Sequence, residues 1–297
     1  MATTRKMRSR IKNIQSTQKI TKSMKMVAVS KLRKVQSGMK TMSLFADKNG
    51  EILARLFDDG IGTSSPYTDT EREIKKICFV LFVGNRGLCG AYNSNILRYM
   101  VDLAAEEQRP FMLVVCGRWG KDAIRSIGLP VEKVFLDIND IPTGEQATKL
   151  AEYLKHRYLS GEADEIMLVY QKFADVLNQI PSTEQLLPQK PQDAARGTVE
   201  NERYIFEPDR ATVLDRALQL HINSLLYSAL LESKAGEHAS RLRAMTAASE
   251  NTEDLIAELK MRLNRARQAI ITTEISEIVG GASAQKKKQQ NENRAFE

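Results

Sequence analysis

The distribution of proline is the strongest constraint that this sequence places on its fold. All eight prolines lie between Pro66 and Pro208, so the 65 residues before them and the 89 residues after them contain none. Proline removes a helical hydrogen bond and clashes with the preceding turn, so it interrupts helices and favours loops. We therefore predict two long terminal helices, paired as an antiparallel coiled coil, and a compact domain between them in sequence.

This pattern divides the chain into four segments. We predict an N-terminal coiled-coil helix over residues 1–60, a globular α/β domain over residues 66–208, a C-terminal coiled-coil helix over residues 209–281 and a polar, disordered tail over residues 282–297. The second helix is expected to end at Gly280-Gly281, because glycine commonly follows the last turn of a helix. The middle segment is long enough to bury one packed core.

Both terminal segments carry a heptad stripe with a polar gap. Alternating steps of four and three residues through residues 7–46 trace an apolar stripe that is interrupted by Gln18, Thr21 and Lys25. The same walk through residues 238–270 has a polar gap at Ser249 and Thr252. Near the first gap the apolar residues leave the stripe, so we expect the apolar face to rotate about the helix and to contact something besides the partner helix.

The middle of the chain alternates between strand-like and helix-like segments. Apolar runs predict strands at residues 77–83, 111–116, 131–136 and 165–171, and helical patterns cover residues 93–107, 118–126 and 145–159. This alternation predicts a small α/β domain with a largely parallel sheet. We also expect extended segments near residues 182–187 and 202–206, and an exposed loop between Pro181 and Gly197.

The positive charge of the chain is concentrated in its amino-terminal arm. Residues 1–46 contain twelve Lys or Arg and no Asp or Glu, whereas the whole chain has a net charge of +7. Such an arm is either a solvated basic helix face or the contact for an anionic partner, which could be a protein or a nucleic acid. A nucleic-acid-binding protein is therefore the alternative function, although the first aromatic residue is Phe45 and no stacking residue is interleaved with the charges.

A glycine-rich turn over residues 84–90 follows the first predicted strand, where a phosphate could be held. Its glycine spacing matches neither a P-loop nor a dinucleotide site, so we favour a tight turn that presents Arg86, with a Rossmann-type enzyme as a further rival. The histidines and cysteines lack metal-ligand spacing, and the longest apolar run is too short to cross a bilayer. We expect no catalytic residue, metal or cofactor on this chain.

Three stretches of the sequence resemble the γ subunit of F-type ATP synthases. Residues 10–28 (RIKNIQSTQKITKSMKMVA) are similar to the N-terminal helix of that family, residues 85–93 (NRGLCGAYN) to its glycine loop, and residues 264–281 (NRARQAIITTEISEIVGG) to its C-terminal signature. The resemblance implies a rotor in which the two end helices coil inside a ring of alternating α and β subunits. It also implies a Rossmann-like domain that meets the ε subunit and the membrane c-ring, so that proton or sodium flow drives ATP synthesis at the β subunits.

The resemblance assigns partner contacts to particular residues. The matching positions are Met24, Lys25, Arg86, Arg267, Gln268, Thr272 and Glu274 for the ring of α and β subunits, and Tyr204 and Glu207 for the foot on the c-ring and ε. The chain departs from the family pattern in two places: Asn85 stands where an aspartate usually precedes the arginine, and the chain continues past Gly280-Gly281, where many relatives stop. No transit extension precedes Met1, so we expect a protein bound peripherally, through the complex, to the cytoplasmic face of a bacterial inner membrane.

Overall fold

The chain folds into two long helices and a five-stranded α/β domain in a computed structural model that describes residues 2–58, 65–190 and 206–294. The helices are α1 (Ala2–Asp58), α2 (Tyr92–Glu106), α3 (Arg118–Ile127), α4 (Gly144–Leu159) and α5 (Arg210–Arg294). The strands are β1 (Ile77–Phe82), β2 (Phe111–Cys116), β3 (Val131–Phe135), β4 (Glu165–Phe173) and β5 (Gln179–Leu187). The seven elements predicted between residues 77 and 171 are confirmed, because each observed boundary lies within two residues of the predicted one.

The sheet has the strand order β3-β2-β1-β4-β5. Its first four strands are parallel, and only β5 runs antiparallel to its neighbour β4. All six residues of the central strand β1 are buried, which is why this strand is a continuous apolar run in the sequence instead of an alternating one. The predicted α/β class with a largely parallel sheet is confirmed.

Helices cover both faces of this sheet. On one face, β1 residues such as Phe82 pack with Tyr158 of α4 and Leu226 of α5. On the other face, Phe79 and neighbouring apolar side chains pack with Met100 of α2. This arrangement places the carboxyl end of β1 beside α5, and that end leads into the glycine-rich turn.

Most of the described part of the predicted exposed loop, residues 181–190, is a strand or buried. Pro181 lies inside β5, and Leu186 and Leu187 at the end of that strand are fully buried. An edge strand tolerates proline because its outer N–H groups need no ladder partner. Residues 191–205, which include most of the second predicted extended segment, lie outside the described residues, and Phe206 is not in a strand.

Helix α5 continues through Gly280 and Gly281 to Arg294. The predicted helix end at the two glycines is therefore wrong, and so is the disordered tail as far as residue 294; residues 295–297 lie outside the described residues. Each glycine costs a helix only about 1 kcal/mol relative to alanine, and the following segment is rich in Ala, Gln and Lys, which are good helix formers.

The described residues form two compact units. The terminal unit contains residues 2–24 and 245–294, and the central unit contains residues 25–58, 65–190 and 206–244. Each unit therefore contains part of α1 and part of α5.

In the central unit α1 and α5 pack in opposite directions. Leu56, near the end of α1, packs with Leu218 near the start of α5. Val35, earlier in α1, packs with Leu231 and Ala235, later in α5. The prediction of antiparallel pairing is confirmed for this unit.

In the terminal unit the two polar gaps of the heptad stripes meet. The hydroxyl oxygens of Thr21 and Ser249 lie 2.8 Å apart in a hydrogen bond, and both residues are buried. At this level of the terminal unit the stripe stays buried and contains a polar pair, so the expectation that the seam is interrupted at Thr21 and Ser249 is wrong. The displaced apolar residues do lie off the seam, since Ile20 is 60% exposed.

Candidate partner-binding surfaces

The glycine loop, residues 84–90, is a sharp turn between β1 and α2. Leu88 and Gly90 have φ angles of 59° and 58°, in the left-handed region that favours glycine. At the start of the loop, the backbone N–H of Gly84 donates to Oδ1 of Asn93 in the first turn of α2, at 2.9 Å. The side chain of Arg86 is exposed, as the tight-turn interpretation predicts.

The glycine loop is attached to α5 by side chains that the sequence patterns did not indicate. Ser240 Oγ donates to the carbonyl oxygen of Cys89 at 2.7 Å. Arg241 Nη2 lies 3.4 Å from the carbonyl oxygens of Arg86 and Gly87 and donates to both. These contacts join residues about 150 positions apart, so no local motif could have identified them.

The presence of asparagine instead of aspartate at position 85 is explained by two hydrogen bonds of its side chain. Its Nδ2 donates to the carbonyl oxygen of Ile138 at 2.7 Å, and its Oδ1 accepts from the backbone N–H of Arg118 at 3.2 Å. An ionised aspartate could accept from Arg118 but could not donate to Ile138. In this chain the amide therefore links the glycine loop to the segments after β2 and β3.

We expect Asn85→Asp to lower the free energy of unfolding of the α/β domain by about 1–3 kcal/mol, because the carbonyl of Ile138 loses its donor and faces a negative charge. Urea denaturation followed by circular dichroism would measure this difference. Asn95→Asp is the matched control, since Asn95 is exposed in the first turn of α2 and should tolerate a negative charge. Equal midpoints for the two variants would contradict this role of Asn85.

Met24 and Lys25 lie on α1 and are half-buried. Met24 belongs to the terminal unit and Lys25 to the central unit. Within the described part of the chain, no hydrogen bond or ion pair joins Lys25 to the glycine loop. Their neighbour Met26 is 73% exposed, so this stretch of α1 displays apolar surface.

The remaining residues assigned to the ring lie close together on α5 in the terminal unit. Arg267, Gln268, Thr272 and Glu274 are all exposed. The Thr272 hydroxyl donates to the carbonyl oxygen of Gln268 at 2.9 Å, so its donor is satisfied within the helix. The other three side chains remain available to a partner.

The same stretch of α5 exposes large apolar side chains. Every described side chain from residue 271 to residue 283 is exposed. The large apolar members are Ile271, Ile275, Ile278 and Val279, whose exposed fractions range from 45% to 70%. These side chains lie near one another on the helix, so this stretch is a candidate surface for contact with another protein.

The predicted foot is only partly described. Glu207 is exposed three residues before α5 begins, whereas Tyr204 lies outside the described residues. Asp209 caps α5, because its carboxylate accepts from the backbone N–H of Thr212 at 2.9 Å. Glu207 therefore stands at a fixed helix start.

Residues 2–58, 65–190 and 206–294 contain neither a metal-binding cluster nor a membrane-spanning helix. No group of three or more His, Cys, Asp or Glu side chains in these ranges could hold a metal ion. In the same ranges, no helix combines the length and the apolar composition that a bilayer span requires.

Comparison of the sequence with known proteins gives matches over almost its full length. The sequence model of the ATP synthase family matches residues 3–285. The ATP synthase gamma chain of Desulfitobacterium hafniense is 40% identical over 285 residues, covering 96% of this chain and 99% of the relative. That of Moorella thermoacetica is 41% identical over 286 residues, covering 96% and 100%.

Comparison with solved structures gives the same family of folds. A chain from the central stalk and c-ring of the Tetrahymena thermophila mitochondrial ATP synthase aligns with a TM-score of 0.59 and 26% identity, covering 77% of this chain and 99% of that one. A chain from the Euglena gracilis mitochondrial ATP synthase aligns with a TM-score of 0.66 over 95% of this chain and 94% of that one. At 19% identity the second match supports the fold alone.

Proposed function

The chain belongs to the ATP synthase gamma-chain family, and on that premise we propose that it works as the central-stalk rotor of an F-type ATP synthase. In this role it couples rotation of the membrane c-ring, driven by protons or sodium ions, to ATP synthesis or hydrolysis at the β subunits. The family membership rests on the match over residues 3–285 and on relatives about 40% identical over nearly their whole length.

The exposed apolar surface of α5 is the observation that carries the proposal. Ile271, Ile275, Ile278 and Val279 lie uncovered on a helix that also presents Arg267, Gln268, Thr272 and Glu274. An encircling ring of α and β subunits would cover these side chains. Because the surface is not the same all round the helix, each rotation angle gives different contacts, and differential contact can shift the conformational equilibrium of each β subunit.

The basic face of α1 supports a second contact with the ring. Its residues up to position 46 carry no carboxylate, and Lys25 and the exposed Arg86 add positive charge that suits an acidic segment of a β subunit. Exposed charge pairs contribute little stability individually, so such a contact can form and break during rotation. Met24 would supply apolar area beside Lys25.

We place the foot of the rotor at Glu207 and Tyr204. Through this segment and the α/β domain the chain would meet the c-ring and the ε subunit. The complex would then hold the protein peripherally at the cytoplasmic face of a bacterial inner membrane. We infer no role for nucleic acid and no cofactor on this chain.

Reconstitution tests the proposed function. We expect the purified chain alone to hydrolyse no ATP, because we place the chemistry on the β subunits. Mixed with α and β subunits of a bacterial synthase, it should assemble and give ATPase activity that depends on its presence. ATP hydrolysis by the isolated chain, or assembly without any effect on activity, would contradict the proposal.

Substitutions on α5 test the contact residues. Replacing Arg267, Gln268, Thr272 and Glu274 together with alanine should lower the ATPase activity of the reconstituted complex about ten-fold or more, equivalent to about 1.4 kcal/mol. The melting temperature of the isolated chain should change little, since all four side chains are exposed. The control replaces Glu258 and Arg262, an exposed ion pair on the same helix, and should retain activity. Equal losses in both variants would argue against a specific contact.

A further inference from the structure

A buried carboxylate lies directly behind the glycine loop. Glu237 of α5 is 1% exposed. Its Oε2 accepts from Nζ of Lys234 at 2.8 Å, and its Oε1 accepts from Nη2 of Arg241 at 2.7 Å. Lys234 is itself buried, and the side chain of Arg241 is 11% exposed, so both ion pairs are largely shielded from water.

The two cations keep this carboxylate charged. Burial acts to raise the pKa of Glu237, but the charges of Lys234 and Arg241 and their hydrogen bonds outweigh burial and lower it. A buried ion pair is weak evidence for stability, because removing its charges from water costs several kcal/mol per ion. The role of Glu237 is therefore better judged from how its ion pairs orient the neighbouring side chains than from their contribution to stability.

Glu237 touches the glycine loop directly at Gly84 and indirectly, through Arg241, at Arg86 and Gly87. A Cβ atom added at Gly84 would lie 3.1 Å from Cδ of Glu237, so the carboxylate packs against the first residue of the loop. Arg241, which Glu237 orients, donates to the carbonyl oxygens of Arg86 and Gly87. Glu237 thus reaches the backbone of Arg86 through one intervening guanidinium group.

The side chain of His238 also restricts the orientation of Arg241. His238 Nε2 lies 2.8 Å from the carbonyl oxygen of Asp140, and its Nδ1 lies 3.3 Å from Nη1 of Arg241. With Nε2 donating to the carbonyl, Nδ1 accepts from Arg241. Asp140 in turn forms an ion pair with Lys31 of α1. The guanidinium of Arg241 therefore has partners on several sides and few alternative orientations.

We propose that Glu237 is a positioning residue for Arg86: by holding Arg241 against the carbonyls of the glycine loop, it fixes the direction in which Arg86 meets the ring. This inference rests on the proposed function for the partner contact, but the geometry of the loop can be tested without a partner. The glycine loop has two residues with left-handed backbone angles, Leu88 and Gly90, and residues 86–88 are exposed. We therefore expect the loop to keep one conformation only while Arg241 holds its carbonyl groups.

Hydrogen exchange of the full-length chain measures the anchoring directly. Glu237→Gln keeps the length and an acceptor but removes the charge that orients Arg241. We expect exchange of the amides of residues 84–90 to rise on the order of ten-fold. The matched control is Asp164→Asn, since Asp164 is also a buried carboxylate that pairs with an arginine, Arg72 at 2.6 Å. It lies at the amino ends of β1 and β4, whereas the glycine loop follows the carboxyl end of β1. The control should raise exchange around residues 72–76 and leave the loop unchanged.

A double-substitution cycle in the reconstituted complex tests the link to Arg86. Glu237→Gln and Arg86→Ala should each lower the ATPase activity, and the combined variant should be no worse than Arg86→Ala alone, because both act through the same side chain. Asp164→Asn acts only through stability, so its effect should add to that of Arg86→Ala. A purely structural role of Glu237 would give additive losses.

The outcomes separate this proposal from the proposed function. Unchanged exchange of the glycine loop in Glu237→Gln would overturn the positioning role, whatever the activities. Faster exchange together with full activity of Arg86→Ala would leave the anchoring by Glu237 in place and refute the contact of Arg86 with the ring. Faster exchange with additive activity losses would overturn the claim that Glu237 acts through Arg86.

Discussion

Replacing Gly117 with alanine is expected to lower the free energy of unfolding of the α/β domain by roughly 4 kcal/mol. Gly117 has a φ of 127° and a ψ of 142°, a conformation that is essentially restricted to glycine. A Cβ atom there would overlap the carbonyl oxygen of Val83, which is backbone and cannot rotate away. Val83 is the last residue before the glycine loop, so the substitution should displace that loop as well.

Urea and thermal denaturation followed by tryptophan fluorescence would measure this change, because the only tryptophan of the chain, Trp119, lies two residues away. We expect the melting temperature of the domain to fall by about 10 °C. Gly144→Ala is the control: it begins α4, and an added Cβ meets nothing within 4 Å. This control should change the stability by less than about 1 kcal/mol. Equal urea midpoints for Gly117→Ala and Gly144→Ala would contradict this prediction, because they would show that the backbone at Gly117 adapts to a Cβ atom without loss of stability.

Placing a charge in the helix seam should have an effect of similar size. Val35 of α1 is fully buried between the two long helices of the central unit, where it packs with Leu231 and Ala235 of α5. Val35→Asp would bury a carboxylate without a partner, at a cost of about 3–5 kcal/mol. We expect the paired segments of α1 and α5 to separate, while the sheet and its covering helices stay folded.

Hydrogen exchange and limited proteolysis of the full-length chain would locate this separation. Exchange should rise in α1 around residues 32–39 and in α5 around residues 231–239, and remain slow in β1 and β4. The control is Leu220→Asp, which places the same charge at an exposed apolar position of α5 outside the seam and outside the proposed ring contacts. Because the rotor needs a rigid pair of helices, only Val35→Asp should abolish activation of the reconstituted ring. Slow exchange in the seam of Val35→Asp would contradict this account of the pairing.

Much of the architecture could be predicted from local patterns. The absence of proline predicted the terminal helices, and the steps of four and three residues identified their buried sides, including Val35 and Ile256. The apolar run at β1 predicted a strand because its buried position on both faces imposes that composition. These predictions succeed because the spacing of apolar residues over a few positions reflects which side of a helix or strand is buried.

The errors have a common physical origin. Gly280 and Gly281 indicated a helix end, yet the cost of two glycines is small enough for the surrounding helix formers to offset it. The polar residue Thr21 indicated an interrupted seam, yet its hydroxyl is satisfied by Ser249 from the other helix. In both cases the outcome depends on a balance of energies with other parts of the chain, which a local pattern does not contain.

The residues of the candidate surfaces also fall into those that sequence motifs indicate and those that only the structure shows. Sequence motifs, which are contiguous in the chain, selected Arg86 and four residues of α5 as candidates, and all five are exposed. They missed Ser240, Arg241 and the buried Glu237, which contact the glycine loop from about 150 positions away. Nothing in the local sequence around Glu237 distinguishes it from a solvent-exposed helix residue.

The sequence by itself determined where this protein is helical, where its sheet lies and to which family it is similar, because each of these follows from patterns within short stretches of chain. Only the tertiary structure decided how the glycine loop is held, that the two polar gaps pair, and that α5 leaves its apolar carboxyl-terminal stretch uncovered. Those properties depend on which distant groups meet, and a buried polar group is stable only when its partner arrives from elsewhere in the fold.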